Sequence, residues 1–508
     1  MIDLIVLQAF RVETKADGMG QLAHTEIDGL RVVVIGGGIA GLSAAYYLTR
    51  QAQEAGLAVG CTLIERDNRP GGKIITEAID ADGTFLVEGG PDSFVGQKPW
   101  AIELAQELGL GDQLIDANPV HRSTYLLWRG RAEPLPEGML MVVPTRITPF
   151  LRSPLLSPLG KLRMAFDMLI PARRDGADES LADFIRRRLG REALERLAEP
   201  LMAGIHSADA ERQSLLATFP RFRDIEQRHG SLIRGMLAAK RAPRPADGRS
   251  SRFAASPFVT FRGGMGSLIE ALVAQIKAQI IYGTSVAELR HDPSAAHAYR
   301  LRLSDGQWLE ADAVILATPP AAAADLLAPG RPDLAAGLRA IRSVSTATIS
   351  LGFRRSDVGT LLDGYGMVIP RGEGRKINAI TMTSTKFAGR APDTGVLVRL
   401  FVGGSRNPAT FAYDDQRLQA LARAELREIL GISAEPLLCR IYRWPHGNPQ
   451  YDVGHLERMD RLCDALPAGM ALIGGAYRGG GIPDCIRQGR EAAGQALAFL
   501  RAQPQLVE

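Results

Sequence analysis

The stretch from Arg31 to Lys73 limits the fold more than any other part of the chain. It reads RVVVIGGGIAGLSAAYYLTR, then a short linker, then CTLIERDNRPGGK. Val32 to Ile35 is a β-branched run of strand type, and Leu42 to Leu48 continues as an apolar helix. Between them Gly36, Gly38 and Gly41 keep the G-x-G-x-x-G spacing. The first glycine makes a tight turn, the second lets a diphosphate approach the backbone, and the third lets helix pack on strand. The free amides of Ile39, Ala40 and Gly41 and the positive end of the helix dipole then face the phosphates. A second strand, Cys61 to Ile64, ends in Glu65, about 20 residues past the turn, where a ribose-binding carboxylate belongs. Together these features read as a site for an adenine dinucleotide. The alternative is a structural glycine turn with Glu65 as a solvated strand end.

Composition narrows the class. With 508 residues, 46% of them hydrophobic, the chain can bury a large core, and roughly two to four lobes are expected. The net charge is only +4, arginine supplies most of the basicity, and it is scattered, so a nucleic-acid partner is not expected. The four cysteines, Cys61, Cys439, Cys463 and Cys485, form no C-x-x-C pair. That excludes a zinc or thioredoxin signature and suits a reducing, cytoplasmic compartment. His206 and His229 sit in no metal-ligand spacing and are assigned to structure. No run reaches the ~18 apolar residues of a membrane span. Met1 to Phe10 lacks the basic lead and cleavage site of a signal peptide. Residues 1–30 read as a disordered extension, with Met19 an alternative start.

Further along, Trp100 to Leu110 reads as a helix stopped by Gly109 and Gly111, and His121 to Leu135 as a β-hairpin around Arg129-Gly130. Residues 140 to 240 have helical spacing, with Ser180 capping a helix over 181–189 that Gly190 ends. Residues 241–256 read as a flexible loop. Ser267 is expected to cap a helix whose apolar face is Leu268, Ile269, Leu272, Val273 and Ile276. Ile280 to Leu289 reads as one strand, followed by a hairpin across Ser304-Asp305-Gly306 and a buried strand, Ala313 to Leu316. Strands at 344–353, 376–383 and 395–402 are expected to form an antiparallel sheet roofing a substrate cavity, and 414–431 a charged amphipathic helix. The chain closes with a strand (Ala471 to Ile473), a glycine-rich turn (Gly474 to Gly481) and a helix from Asp484 to Leu500 with Pro483 in its first turn. A second helix N-terminus is thus aimed at something that gains negative charge.

Two further motifs carry a resemblance. The pattern E-R-x-x-R-x-G-G-K from Glu65 to Lys73, with LVEGGPDSF from Leu86 to Phe94, resembles the flavin-binding superfamily of amine oxidases, phytoene desaturases and protoporphyrinogen oxidases. The resemblance implies FAD rather than NAD. It implies that Arg66, Gly72 and Lys73 join the first turn in holding the cofactor. The backbone of Gly90, Pro91, Asp92 and Ser93 would face the flavin end, and Val286 would touch the adenine side through its backbone. Gly480, Gly481 and Ile482 would begin the helix whose N-terminus stabilises the reduced flavin. A more specific stretch, AEPLMAGIHSAD from Ala198 to Asp209, with SL…FPRF from Ser214 to Phe222 and GSLI from Gly230 to Ile233, resembles the oxygen-dependent protoporphyrinogen/coproporphyrinogen oxidase family. The similarity runs from about Arg31 to the C-terminus.

On that resemblance the fold is α/β. A two-part FAD-binding Rossmann-like domain (31–95, 257–320 and 440–505) is joined by a mixed-sheet substrate-binding domain (96–139 and 321–439). A helical insertion (140–256) completes the chain, either presenting an apolar face to a membrane surface or packing on its neighbours as a soluble lobe. The implied activity is a six-electron oxidation of a porphyrinogen to the porphyrin in heme biosynthesis, with hydride passing to flavin N5 and molecular oxygen returning as hydrogen peroxide. No catalytic side chain and no metal are expected. Arg122 is the first choice to meet substrate propionates, with Lys98 and Lys386 behind it. Phe387 would stack on a substrate ring, and Gly204 would line the cavity. A peripheral membrane contact, the next heme-pathway enzyme and a homodimer are further expected partners. Coproporphyrinogen III and protoporphyrinogen IX both stay open. So do an amine oxidase or carotenoid desaturase, and a non-catalytic binder on the related escort-protein fold, although the full set of glycine turns argues against the last.

Overall fold

The computed structural model describes residues 29–503, apart from 141, 242–252, 254–255, 257 and 360–361. The expected extension over residues 1–30 and the expected loop over 241–256 fall largely outside them. The valine-rich first strand, Leu30–Ile35, takes the centre of a five-stranded parallel sheet. The spatial order is Gln279–Ile281, Val59–Ile64, Leu30–Ile35, Ala313–Leu316 and Met470–Leu472. Ala313 to Leu316 are fully buried, as a parallel sheet covered on both faces requires. On one face lie the helices Ile39–Glu54 and Ile482–Arg501. Their close approach depends on Gly489, where a Cβ would lie 2.7 Å from the Ala40 carbonyl and 2.8 Å from the Ala44 amide. On the other face lie a three-stranded antiparallel sheet and the helices Pro320–Leu327 and Pro332–Arg339. Segments from both ends of the chain therefore meet in one layer.

Two local expectations are corrected. The single strand expected over 280–289 is two strands: Gln279–Ile281 belongs to the parallel sheet and Val286–His291 to the antiparallel one. The break falls at Gly283, in the left-handed region at φ +63°, where its amide donates to the Asp67 carbonyl and that of Thr284 to the Glu65 carbonyl. Ser267 is not a cap. The helix Gly266–Gln275 starts one residue earlier, and its leading amides are taken from outside: Met265 N–H donates to buried Glu88 at 2.8 Å and Gly266 N–H to Thr76 Oγ1 at 2.8 Å.

A second sheet has seven strands, in the order Leu438–Pro449, Ser343–Arg354, Gly395–Gly403, Ile377–Met382, Gly366–Val368, Thr124–Trp128 and Arg131–Pro134. The three expected strands form its middle, and the expected hairpin forms its edge. The long outer strand Leu438–Pro449 and the short Gly366–Val368, which runs parallel to Thr124–Trp128, carry no strong alternation and were not anticipated.

The helical insertion packs around Leu181–Arg188, capped as expected by Ser180 Oγ, which accepts from the Asp183 amide at 3.0 Å. Its centre is ionic as well as apolar. Arg188 is fully buried and donates to Asp167 Oδ1 (2.6 Å) and to the carbonyls of Ile170 (2.8 Å) and Gly230 (2.8 Å). Asp167 also accepts from Ser231 Oγ (2.6 Å) and the Ile233 amide (2.9 Å). The chain then passes through a π-helical stretch, Leu194–Ala203, with Pro200 inside it. Proline cannot donate in an α-helical ladder, so this wider turn is a physical consequence of its position. Among the described residues no helix is long and apolar enough to cross a membrane.

Asp167→Ala strips the buried Arg188 guanidinium of its nearer carboxylate, leaving Glu226 Oε1 at 3.5 Å, which costs up to about 3–5 kcal/mol. The expected result is a lower urea midpoint. The double variant Asp167→Leu/Arg188→Met should recover part of the loss.

Candidate active site

The first glycine turn leaves its helix without a side-chain cap, so the amides of Ile39, Ala40 and Gly41 stay available to a ligand. The geometry there is tight behind and open in front. A Cβ on Gly41 would overlap the Gly36 carbonyl, whereas one on Gly38 would meet nothing within 4 Å. Glu65 is buried beside this turn. Its Oε2 accepts from the Gly37 amide at 2.5 Å and its Oε1 from the Asp67 amide at 2.8 Å. Two backbone donors thus hold the carboxylate at the end of its strand, leaving lone pairs for a ribose.

The other turns come to the same place. Gly71 N–H donates to the Gly37 carbonyl at 2.8 Å, and a Cβ on Gly72 would sit 3.1 Å from Gly38 Cα. Arg69 Nη2 pins the turn by donating to the Gly72 carbonyl at 2.5 Å. Arg66, in contrast, points to solvent next to Asp67. Lys73 is exposed along its side chain, and its ammonium donates to the Gly447 carbonyl. Gly90 abuts Lys73 so closely that a Cβ would overlap the Lys73 carbonyl. Val286 begins the strand two residues past Thr284, whose amide donates to Glu65.

The third turn, Gly89 to Ser93, is braced by charge. The Gly89 carbonyl accepts from Trp444 Nε1 (3.0 Å), Thr348 Oγ1 (3.2 Å) and Arg399 Nη2 (3.3 Å), and Arg399 also donates to the Gly90 carbonyl. Asp92 pairs with Lys386 at 3.0 Å and accepts from Ser93 Oγ at 2.6 Å. Burial alone would raise its pKa, but Lys386 and Arg399 beside it hold it down to about 2. Pro91 sits within this braced loop.

The last helix, Ile482–Arg501, also starts without a side-chain cap, at Gly481. Gly480 has open space on its Cβ side apart from the Gly475 carbonyl at 3.3 Å. Because this helix packs on Ile39–Glu54, two uncapped N-termini stand on neighbouring helices. Asp484 in its first turn pairs with Lys98 at 2.6 Å. Uncapped amides, a held carboxylate and glycines with no side-chain volume are what a dinucleotide with an electron-accepting ring needs, so the residues fit FAD.

The expected substrate residues fare unequally. A Cβ on Gly204 would find only the Glu199 carbonyl, 3.9 Å away, so the space beside it is open. Arg122 is exposed, and its charge acts on Tyr365, whose hydroxyl donates to the Asn118 carbonyl at 2.9 Å. Phe387 is fully buried against Ala117, Tyr365 and Phe258 and shows no face to a guest. Lys386 is spent on Asp92 and lies over the Phe258 ring at 4.3 Å, so it is not free for a propionate. His206, assigned to structure, is edge-on to Phe219 at 5.8 Å between centroids. Burial lowers its pKa to about 4, with the Lys98 charge adding to the effect. His229 is exposed.

One segment escaped sequence reasoning. Asn448 to His455 ties three regions together: Gln450 N–H donates to the Arg342 carbonyl (2.8 Å), Gln450 Nε2 to the His206 carbonyl (3.3 Å), and Asp452 pairs with Arg342 (2.7 Å) and Arg212 (3.0 Å). Its partners lie more than a hundred residues away, so no local pattern marks it.

Gly38→Val should abolish FAD retention, seen as loss of the yellow colour, while far-UV circular dichroism stays unchanged, since the new side chain enters open space. Gly41→Val should instead damage the fold, because it overlaps the Gly36 carbonyl.

Residues 39–497 match the family model described as flavin containing amine oxidoreductase. The chain is 38% identical to the coproporphyrinogen III oxidase of Bacillus subtilis (strain 168) over 475 residues, covering 92% of this chain and 98% of that one. It is 29% identical to the chloroplastic protoporphyrinogen oxidase of Oryza sativa subsp. japonica over 490 residues, covering 92% and 88%. A solved structure from Exiguobacterium sp. 255-15, provisionally named a protoporphyrinogen oxidase, superposes with a TM-score of 0.80 at 32% identity, covering 93% of this chain and 99% of that one. Converging glycine turns and end-to-end similarity agree: the chain belongs to the flavin containing amine oxidoreductase family, with FAD as its cofactor.

Proposed function

We propose that the chain oxidises coproporphyrinogen III to the porphyrin, with molecular oxygen as final acceptor and hydrogen peroxide as by-product. The observation that supports this reading is the similarity along nearly the whole chain, 38% to a coproporphyrinogen III oxidase against 29% to a chloroplastic protoporphyrinogen oxidase and 32% to the solved structure provisionally named as one. FAD, held by the glycine turns and Glu65, would supply the redox chemistry, hydride acceptance and electron transfer to oxygen. The chain's own part is to hold and orient. The uncapped start of Ile482–Arg501 favours negative charge at the cofactor. The open space at Gly204 leaves room for a macrocycle. Arg122 receives a propionate, of which coproporphyrinogen carries two more than protoporphyrinogen, while Lys98 is held by Asp484. A cationic amine is a poorer guest beside Arg122, which argues against the amine-oxidase alternative.

The same reading places the protein against a membrane surface. Seven large apolar side chains are exposed between Ile147 and Leu169, among them Ile147 (74%), Leu159 (77%) and Leu169 (73%). Arg146, Arg152, Lys161 and Arg163 lie in the same segment. Apolar side chains interleaved with basic ones suit an anionic lipid interface.

Two measurements test these assignments. On anaerobic mixing, coproporphyrinogen III should bleach the flavin and, once air is admitted, give porphyrin fluorescence, with kcat/KM above that for protoporphyrinogen IX by about tenfold. Bleaching by protoporphyrinogen alone would overturn the substrate choice, and bleaching by neither the reading itself. Arg122→Ala should raise KM for coproporphyrinogen by about tenfold, the worth of one charged hydrogen bond. In sedimentation with anionic vesicles, Leu159→Glu/Leu169→Glu should weaken association by about tenfold or more. Equal sedimentation of parent and variant would sink the membrane assignment.

A further inference from the structure

We propose that Tyr451 is a positioning residue for the flavin end of the cofactor site, fixing the Gly474 to Gly481 turn from behind and thereby the amides that begin the last helix. Its hydroxyl bridges the two arms of the turn. It donates to the Gly475 carbonyl at 3.0 Å and accepts from the Gly479 amide at 2.9 Å. A phenol has one proton, so both bonds form together only in one orientation. Burial raises the phenol above its ordinary range, with the Gly479 amide opposing, and it stays a donor throughout the neutral range.

The ring is as restrained as the hydroxyl. It stacks on His455 with centroids 4.1 Å apart and planes 10° from parallel. His455 is fully buried and bonds through Nε2 to the Tyr477 carbonyl at 2.8 Å. A carbonyl only accepts, so Nε2 carries the proton and the ring cannot flip. The backbone is anchored too: the Tyr451 carbonyl accepts from the Ser214 amide at 2.7 Å, and the neighbours Gln450 and Asp452 are the tethered residues described above.

The turn needs this brace because its glycines have no side chains to pack. It carries glycine at 474, 475, 479, 480 and 481, with Gly479 in the left-handed region at φ +116°. Tyr477 within it is fully buried and donates from its hydroxyl to the Thr318 carbonyl at 2.9 Å, and a further restraint comes from the helix side. Gln488 accepts from the Gly474 amide at 3.2 Å and donates to the Gly479 carbonyl at 3.2 Å. Tyr451 and Gln488 thus hold opposite edges of one loop. Amides stabilise developing negative charge only when held in place beforehand, so slack in this loop appears as weaker cofactor binding and a reduced flavin that is less stabilised.

The test compares two purified holoenzyme variants that each lose one largely buried hydroxyl. Tyr451→Phe keeps the ring and its stack. Tyr299→Phe loses a bond to the Ala468 carbonyl, away from the turn. The FAD dissociation constant and the midpoint potential of the bound flavin are measured without substrate, so the outcome does not depend on the porphyrinogen reading. Tyr451→Phe should weaken FAD binding by about tenfold, as expected for a buried group left unpaired, and shift the potential negative. Tyr299→Phe should lower thermal stability and leave both flavin readouts alone. Unchanged affinity and potential in Tyr451→Phe, or equal changes in the two variants, would show that the hydroxyl serves only general stability and would overturn the proposal.

Discussion

The structure depends on the contact between the helix that follows the first strand and the helix that ends the chain. Gly489 lets the two backbones touch at Ala40 and Ala44, and both helices lie on one face of the parallel sheet. Neither has a side-chain cap at its N-terminus. Two sets of orphan amides and two positive dipole ends are therefore presented by one rigid layer. Such an arrangement is poorly satisfied by water alone in a cleft and well satisfied by a diphosphate at one end and an anionic ring at the other. The other features of the site support that pairing: Glu65 and the Gly71-Gly72 turn at the first helix, Lys98, Tyr451 and Gln488 at the second.

Buried charge is used in two different ways. In the insertion, Arg188 and Asp167 satisfy almost every donor and acceptor they carry, so they specify one packing of several short helices. Ion pairs of this kind stabilise little against an apolar alternative but penalise any rearrangement that separates them. Around the third glycine turn, Arg399 donates to the carbonyls of Gly89 and Gly90 while Lys386 holds the Asp92 side chain. There the charge holds a loop that opens on two glycines. The same logic explains Tyr451, whose hydroxyl substitutes for missing packing in a loop of glycines.

Short-range signals in the chain were dependable. The G-x-G-x-x-G spacing, Ser180 as a cap, the hairpin across Ser304 to Gly306 and Pro483 in the first helical turn all involve residues within a few positions of one another, and all stand as read. Errors gathered where the deciding partner was remote. The run from Ile280 to Leu289 has continuous strand propensity, yet it divides because Gly283 turns under Asp67 and Glu65. Ser267 looked like a cap, but Glu88 and Thr76, far back in the chain, supply that function. Lys386 and Phe387 read as available to a substrate, and Asp92 and Tyr365 take them into the interior. The strap from Asn448 to His455 carries no periodicity because each residue answers to a different neighbour.

Local order along the chain, then, was sufficient to determine that it would build a dinucleotide fold and which glycines would turn it. Those properties follow from backbone sterics and from hydrogen bonds a few residues long. Which side chains would face a guest, and which would be locked away as braces, was decided only when distant segments met. Desolvation and long-range pairing set the energy of a charged or aromatic side chain, and neither quantity is defined until the partner is in place.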